Sequence, residues 1–251
     1  MVGVTTTGRP SLYGSLPALP RDDPDEVPGS APEAVVASAV RADATFERIQ
    51  LDETSWVDVA RGWIAQPDAL LHNLLENGSW QQRELFRYEV KIPEPRLGGR
   101  WPDDPATAAV RVELFKTLRD RYHVSFDRGA LALYRDGRDS VAFHRDREMR
   151  WLDDTRIAVL SLGAKRPWCL RPRAGRDEDL DKPDRGATHD FSPAGGDLVV
   201  LGGRCQADWL HAVPKVRAPI GPRISVQWRW TSRRGRPEEG GNFGDPRFFS
   251  S

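Results

Sequence analysis

The sequence predicts a mainly β domain with supporting helices, an α+β chain whose strands form an antiparallel sandwich or barrel. Three observations carry this reading. From Gly129 onward, short apolar runs are separated by turn residues: ALALY, SVAFH, IAVLSL, WCLR, HDFS, DLVVL, WLHAV and RISVQWRW. Many short strands at such spacing mark an all-β layer. The last run, Arg223 to Trp230, alternates strictly between polar and apolar residues, the period of a strand with two different faces. Upstream, Asp103-Asp104-Pro105 has the chemistry of a helix start, and Val110, Val112, Leu114, Phe115, Leu118 and Tyr122 follow as an apolar stripe. That helix is expected to pack across the sheet.

Taken in chain order, residues 1 to about 40 carry six prolines (Pro10, Pro17, Pro20, Pro24, Pro28, Pro32) and the acidic run Asp22, Asp23, Asp25, Glu26. This reads as an extended, flexible arm. Between Asp52 and Trp80, Trp56, Val57, Ala60, Trp63 and Ile64, then Leu70, Leu71, Leu74 and Leu75, recur at helical spacing with Pro67 and Gly78 as punctuation. The pattern predicts two short helices. The segment from Pro172 to Ala187, rich in Arg, Asp, Gly and Pro, reads as a solvent loop. The domain is therefore drawn from 41 to 232, with a Gly- and Pro-rich tail from 233 to 251.

At 251 residues the chain is longer than the roughly 150 used as a prior for one domain, yet a single β-rich core with loose ends accounts for it. No run of about 18 apolar residues or secretory leader is visible, so a soluble, cytoplasmic, monomeric protein without a membrane partner is expected. Cys169 and Cys205 are too few for a disulfide framework and form no CxxC pair, so both are expected as buried or half-buried thiols. Lys+Arg and Asp+Glu are equal at 37 each, so overall charge gives no argument for a polyanionic partner. Local charge must carry any such case.

The chemistry concentrates in VAFHRDREMRW, residues 141 to 151. His144 and Asp146 are two apart and share a face in extended backbone, so an imidazole nitrogen and a carboxylate oxygen can approach one ion. The tripeptide alone fits a surface His-Asp hydrogen bond equally well. Among the remaining histidines, His211 in DWLHAVPKV lies between apolar residues on a strand expected to return through the core. His72, His123 and His189 have no such setting. Two histidines and a carboxylate on one side of a metal leave positions open, which suits Fe(II) that must also bind a co-substrate and O2. A closed structural zinc site needs a fourth protein ligand, which is not evident.

In the last strand, Arg223, Ser225, Gln227 and Arg229 share one face, and Ile224, Val226, Trp228 and Trp230 the other. If the apolar face packs under helices, the polar face looks into the barrel. Arginines buried there are costly unless they meet anions, and a dicarboxylate co-substrate meets that need through charge-assisted, bidentate bonds. An exposed edge strand with solvated arginines is the alternative. In Ala130-Leu-Ala-Leu-Tyr134, Ala132 and Tyr134 fall together as a pocket wall or as plain interior filling.

Together, LYRDGRDSVAFHRDRE, IAVLSLGAKRPWCLRPR, GDLVVLGGRCQADWLHAVPK and PRISVQWRW resemble the AlkB family of Fe(II)- and 2-oxoglutarate-dependent dioxygenases, over about Glu89 to Thr231. The resemblance implies a double-stranded β-helix, or jelly roll, with helices supporting one sheet. It implies His144, Asp146 and His211 as iron ligands. It also implies a 2-oxoglutarate site of Tyr134, Arg223, Ser225 and Arg229, with Arg223 and Tyr134 on the distal carboxylate and Arg229 near the metal-chelating end or Asp146. The implied reaction consumes 2-oxoglutarate and O2, removes an N-alkyl group from a base of DNA or RNA, and releases formaldehyde, succinate and CO2. A base must leave its stack to reach such a metal.

On the substrate side, Glu148 resembles the family position that contacts the exocyclic amine of the target base. Arg145, Arg147 and Arg150, continued by Arg156, Arg166, Arg171 and Arg173, are candidates to follow a phosphate backbone. Trp151, Trp168 and Trp209 are candidates to stack on bases, with core packing as the default. Two departures bear on the substrate. Ala132 stands where many members have Asn, and Pro95-Arg96-Leu97-Gly98-Gly99-Arg100-Trp101 replaces the aromatic Tyr-Gly lid segment of many repair members. A dioxygenase acting on a protein or small molecule, and a non-catalytic nucleic-acid-binding jelly roll, are therefore the competing expectations.

Overall fold

The computed structural model describes residues 39–87, 90–127, 129–146, 149–173 and 188–238. In chain order these form β1 (Glu47–Gln50), β2 (Ser55–Ala60), α1 (Pro67–Asn77), β3 (Ser79–Arg87), β4 (Val90–Arg100), α2 (Pro105–Tyr122), β5 (Ala130–Tyr134) and β6 (Val141–His144). They continue with β7 (Thr155–Gly163), β8 (Cys169–Pro172), β9 (His189–Asp190), β10 (Leu198–Gly203), α3 (Cys205–Asp208), β11 (Trp209–Val213) and β12 (Arg223–Thr231). The strands lie in two sheets, ordered β1-β2-β10-β7-β12-β5-β4-β3 and β6-β11-β8-β9. The ladders are antiparallel, and the two sheets form the jelly roll that the resemblance implied.

Alternation along the central strands divides the apolar residues between two cores. Ile224, Val226 and Trp228 of β12, Leu160 and Leu162 of β7, Val200 of β10 and Leu131 and Leu133 of β5 pack with Leu70, Leu74, Val110, Leu114 and Leu118 of the helices. Their opposite neighbours Ile157, Val159, Val199, Leu201, Ala132 and Tyr134 join Leu170, Trp209 and Val213 of the smaller sheet. One face of the large sheet thus carries the helices and the other closes the barrel, as the side-chain period of two requires.

The segment read as the first of two helices is a strand instead. Ser55–Ala60 pairs with β1 on one side and β10 on the other, with Val59 opposite Val199. Val57 and Val59 are buried on one face and Asp58 and Ala60 on the other, so both faces are covered and no solvent-facing side remains to set a helical period. The second helix is present: Pro67 opens α1, and Leu70, Leu71 and Leu74 are its buried residues. Gly78 ends it, its N–H donating to the Leu74 carbonyl at 3.0 Å. A Cβ there would meet that carbonyl and the Trp80 indole, so close approach explains the glycine. In α2 the Asp104 carbonyl accepts from the N–H groups of Thr107 and Ala108. Val112 corrects the expected stripe, since it is 64% exposed while Val110, Leu114 and Leu118 are buried.

The glycine-rich segment 95–101 is mostly strand. Residues up to Arg100 belong to β4, which pairs with β3 and, through Leu97, Gly98 and Gly99, with β5. Ala39 and Val40, placed in the arm, already belong to the packed unit: Val40 bridges Ile64, and both residues donate backbone N–H groups to the Glu113 carboxylate. The rest of the arm (1–38), the loop from 174 to 187 and the tail beyond Glu238 lie outside the described residues. Before that limit the tail meets Arg150 and Asp154, with Ser232 N–H on the Asp154 carbonyl and Glu238 N–H on the Arg150 carbonyl. No helix among the described residues is long and apolar enough to cross a membrane.

Candidate active site

Pairing of β6 with β11 sets His144 directly opposite His211. Their ring centroids are 4.3 Å apart. Asp146, just beyond β6, turns back so that its Oδ1 lies 3.6 Å from His144 Nε2 and 3.8 Å from His211 Nε2. One ligand atom from each of the three lies within 4.8 Å of the others. Strand register therefore assembles residues 67 positions apart in sequence, which the His-x-Asp tripeptide alone does not show.

Neighbouring groups orient each member. His144 Nδ1 lies 2.8 Å from the Ala142 carbonyl; a carbonyl only accepts, so Nδ1 carries the proton and the Nε2 lone pair faces the cluster. Trp168 stacks on the His211 ring at 5.7 Å. Gln206, fully buried in α3, accepts the Asp146 N–H at 2.8 Å. Arg229 Nε donates to Asp146 Oδ2 at 2.5 Å, and its Nη2 donates to Gln227 at 2.6 Å.

The protonation states suit metal binding. Burial by itself raises the Asp146 carboxyl pKa, but Arg229, then the two histidines, more than offset this and hold it well below the usual carboxylate range. Burial pushes His144 down against the pull of Asp146. Burial and then His144 push His211 down to about 3. Two neutral imidazoles and one carboxylate are the donor set of a facial triad with open positions.

The co-substrate candidates lie on neighbouring strands. Arg223 is fully buried and opposite Tyr134 in the β12–β5 ladder. Its Nη1 and Nη2 donate to Ser225 and Ser161 at 2.7 and 2.8 Å, and Nε has no partner among the described residues. It has no carboxylate partner there either, and burial pulls its pKa down to about 10. A buried cation held by two hydroxyls and a tyrosine ring, with no opposite charge, is unfavourable until an anion arrives, which fits a carboxylate guest. Tyr134, Ser225, Gln227, Arg96, Trp168, Val159 and the three candidate ligands line one cavity.

The candidates for nucleic-acid contact separate more widely. Arg145 forms a bidentate pair with Glu238 at 2.7 and 2.5 Å. Arg150 also meets the tail, its Nη2 donating to the Glu238 carbonyl at 3.4 Å. Arg147 and Glu148 lie outside the described residues. Arg166 corrects its expected role: it is buried and donates to the carbonyls of Asp136, Asp139 and Pro214, stapling the turn before β6 to the segment after β11. Arg156 pairs with Asp154, and Arg171 lies over Phe143. Trp168 and Trp209 are buried rather than displayed for base stacking, as the core default anticipated.

Residues 42–236 match the family described as the 2OG-Fe(II) oxygenase superfamily. The chain belongs to this superfamily. The oxygenase is 29% identical over 193 residues to mouse alpha-ketoglutarate-dependent dioxygenase alkB homolog 3, covering 69% of this chain and 65% of the relative. It is also 29% identical over 147 residues to DNA oxidative demethylase ALKBH2 of Arabidopsis thaliana, covering 51% and 44%. The chain thus spans less than two thirds of these curated relatives. A Trichoplax adhaerens prolyl hydroxylase structure shares the fold at TM-score 0.50 and 10% identity, over 69% of this chain and 82% of that one.

Membership implies Fe(II) and 2-oxoglutarate, and the cluster of His144, Asp146 and His211 could hold such an iron. Its donor set fits such an iron: the carboxylate is ionised, both imidazoles are neutral, and His144 presents Nε2. Sequence reasoning missed Ser161, Gln206 and Arg96. Ser161 had a signal, as a hydroxyl on the inward face of IAVLSL; Gln206 and Arg96 become visible only through their partners.

Proposed function

We propose that the enzyme removes N-alkyl groups from alkylated bases of DNA or RNA, with iron held by His144, Asp146 and His211. The observation that carries this is the largely buried triad sharing a cavity with Tyr134, whose ladder partner is the buried, carboxylate-free Arg223. The likeness to AlkB homolog 3 and ALKBH2 supports the nucleic-acid substrate. When bound, iron supplies the oxidising step that couples 2-oxoglutarate decarboxylation to loss of the alkyl group as an aldehyde, formaldehyde for N-methyl.

The chain's own residues bind and orient. Arg223, kept in place by Ser161 and Ser225, receives the distal carboxylate of 2-oxoglutarate, and Tyr134 adds a hydroxyl. Arg229 fixes Asp146 so that Oδ1 faces the imidazoles. Ile157, Val159, Val213 and Trp168 form apolar walls that limit water around the reacting centre. Arg145 and Arg150, with Arg147 and Glu148 of the same segment, serve the nucleic acid on the substrate side.

Methylated DNA and RNA oligonucleotides incubated with Fe(II) and 2-oxoglutarate should yield formaldehyde and succinate in equal amounts, lost in His144→Ala and Asp146→Ala. Succinate without formaldehyde or base repair across the panel would overturn the nucleic-acid assignment. A protein or small-molecule substrate is the second reading, favoured by the absence of an aromatic Tyr-Gly lid at 95–101 and by the engagement of Arg145 with Glu238. Mass spectrometry of treated cell extract would then show an added oxygen or a lost methylene outside nucleic acid.

A further inference from the structure

The cavity lined by the triad has one guanidinium in its wall, that of Arg96. Arg96 is the first β4 residue past the last register pair with β5, Leu97 opposite Leu133, which brings it to Tyr134. Its Nη1 donates to the Tyr134 hydroxyl oxygen at 3.2 Å. Glu94 holds the rest of the fork, accepting from Nε at 3.0 Å and lying 2.9 Å from Nη2. Both side chains are well shielded, at 16% and 12% exposure, so the pair is fixed rather than solvated. Tyr134 is 1% exposed, and its hydroxyl has no other protein partner among the described residues.

A guanidinium has only donors, so the Tyr134 oxygen must accept from Arg96 and cannot aim its own hydrogen there. That hydrogen is left to point elsewhere. Arg223 lies over the Tyr134 ring at 5.6 Å and Arg166 at 5.1 Å, so the surroundings of the phenol favour an anion. We propose that Arg96 is a positioning residue for the co-substrate: it turns the Tyr134 O–H toward the carboxylate that Arg223 receives, and Glu94 holds Arg96 in that pose. This rests on the assignment of Arg223 and Tyr134 to 2-oxoglutarate.

The test measures 2-oxoglutarate affinity by calorimetry on the Mn(II)-loaded protein without O2, together with KM and kcat of the Fe(II) enzyme. Arg96→Met should weaken 2-oxoglutarate binding about tenfold, the weight of one hydrogen bond to a charged group, and should raise its KM more than it lowers kcat. Arg96→Lys should recover part of the loss. In a Tyr134→Phe background Arg96→Met should add less than twofold, because the two act through one hydroxyl. Additive losses, or a KM change confined to the nucleic acid, would overturn the proposal. If Arg96→Met misfolds, the Glu94→Gln and Arg96→Lys variants carry the same comparison. Arg223→Ala separates the two levels: no loss of affinity there removes the underlying assignment, whereas a loss there with none from Arg96 removes the proposal alone.

Discussion

Asp146 depends on one residue more than on any other. Its carboxylate is buried and ionised because Arg229 donates to Oδ2, and both partners are mostly hidden, at 17% and 9% side-chain exposure. Removing one member of such a pair leaves an uncompensated charge. Arg229→Met is expected to cost the metal-free protein about 3 kcal/mol, read from its urea midpoint, and to weaken Mn(II) binding by about tenfold or more, because the carboxylate loses its orienting partner. Arg229→Lys should restore part of the charge term and little of the geometry. Arg223 contrasts with it: Arg223→Ala should raise the 2-oxoglutarate requirement far more than it weakens Mn(II) binding, and equal losses of both would contradict its assignment.

Elements matter here for what they hold in register. β11 carries His211, and its first residue, Trp209, donates Nε1 to Asp52 Oδ2 at 2.6 Å, across from the turn before β2. Burial raises the Asp52 pKa, but Trp209 and the N–H groups of Thr54 and Ser55 outweigh it, so the net displacement is downward. A carboxyl lowered on folding stabilises above its unfolded pKa of about 3.9, and that contribution is lost as pH falls through the lower folded value. Asp52 is exposed, so solvent screens its interactions: Asp52→Asn should cost no more than about 0.5 kcal/mol at pH 7, and its difference from the parent protein should shrink below about pH 4. Urea titrations at the two pH values check this. Packing of the helices on the large sheet gives a second contrast. Trp228, fully buried on β12, should lose about 3–5 kcal/mol on change to Ala. Val112→Ala on the exposed side of α2 should lose less than about 0.5 kcal/mol.

For the whole molecule, the absence of a disulfide and the sealing of the cores make thiol chemistry a measure of global opening. Cys169 and Cys205 are free. Burial pushes Cys205 up to about 12 and also raises Cys169. Since only the thiolate reacts, a disulfide reagent at pH 8 should titrate both thiols in denaturant, whereas in the native protein Cys205 reacts only at the rate of unfolding. The balanced charge of 37 basic and 37 acidic side chains has a consequence at the same scale. Any nucleic-acid affinity must come from a local arginine segment, part of which is already paired with Glu238. Glu238→Gln should tighten binding to a methylated oligonucleotide and steepen its salt dependence by about one counterion, in line with one newly available phosphate contact.

By itself, the sequence determined the strands from Ala130 to Thr231, the opposed faces of β12 and the site candidates, because a period of two is local and survives in any window of a few residues. It also placed His144, Asp146 and His211 in the AlkB-like pattern and left Cys169 and Cys205 unpaired. The tertiary structure decided what depends on partners far along the chain. Ser55–Ala60 is a strand because β10, some 140 residues later, supplies its ladder, and a run buried on both faces carries no solvent-facing period to separate strand from helix. Arg166 and Arg223 look alike in sequence, yet one is held by three carbonyls and the other by two hydroxyls. The same distance hides Arg96 behind Tyr134 and Arg145 behind Glu238. An arginine's role follows from which acceptor reaches it, and only the folded chain brings that acceptor near.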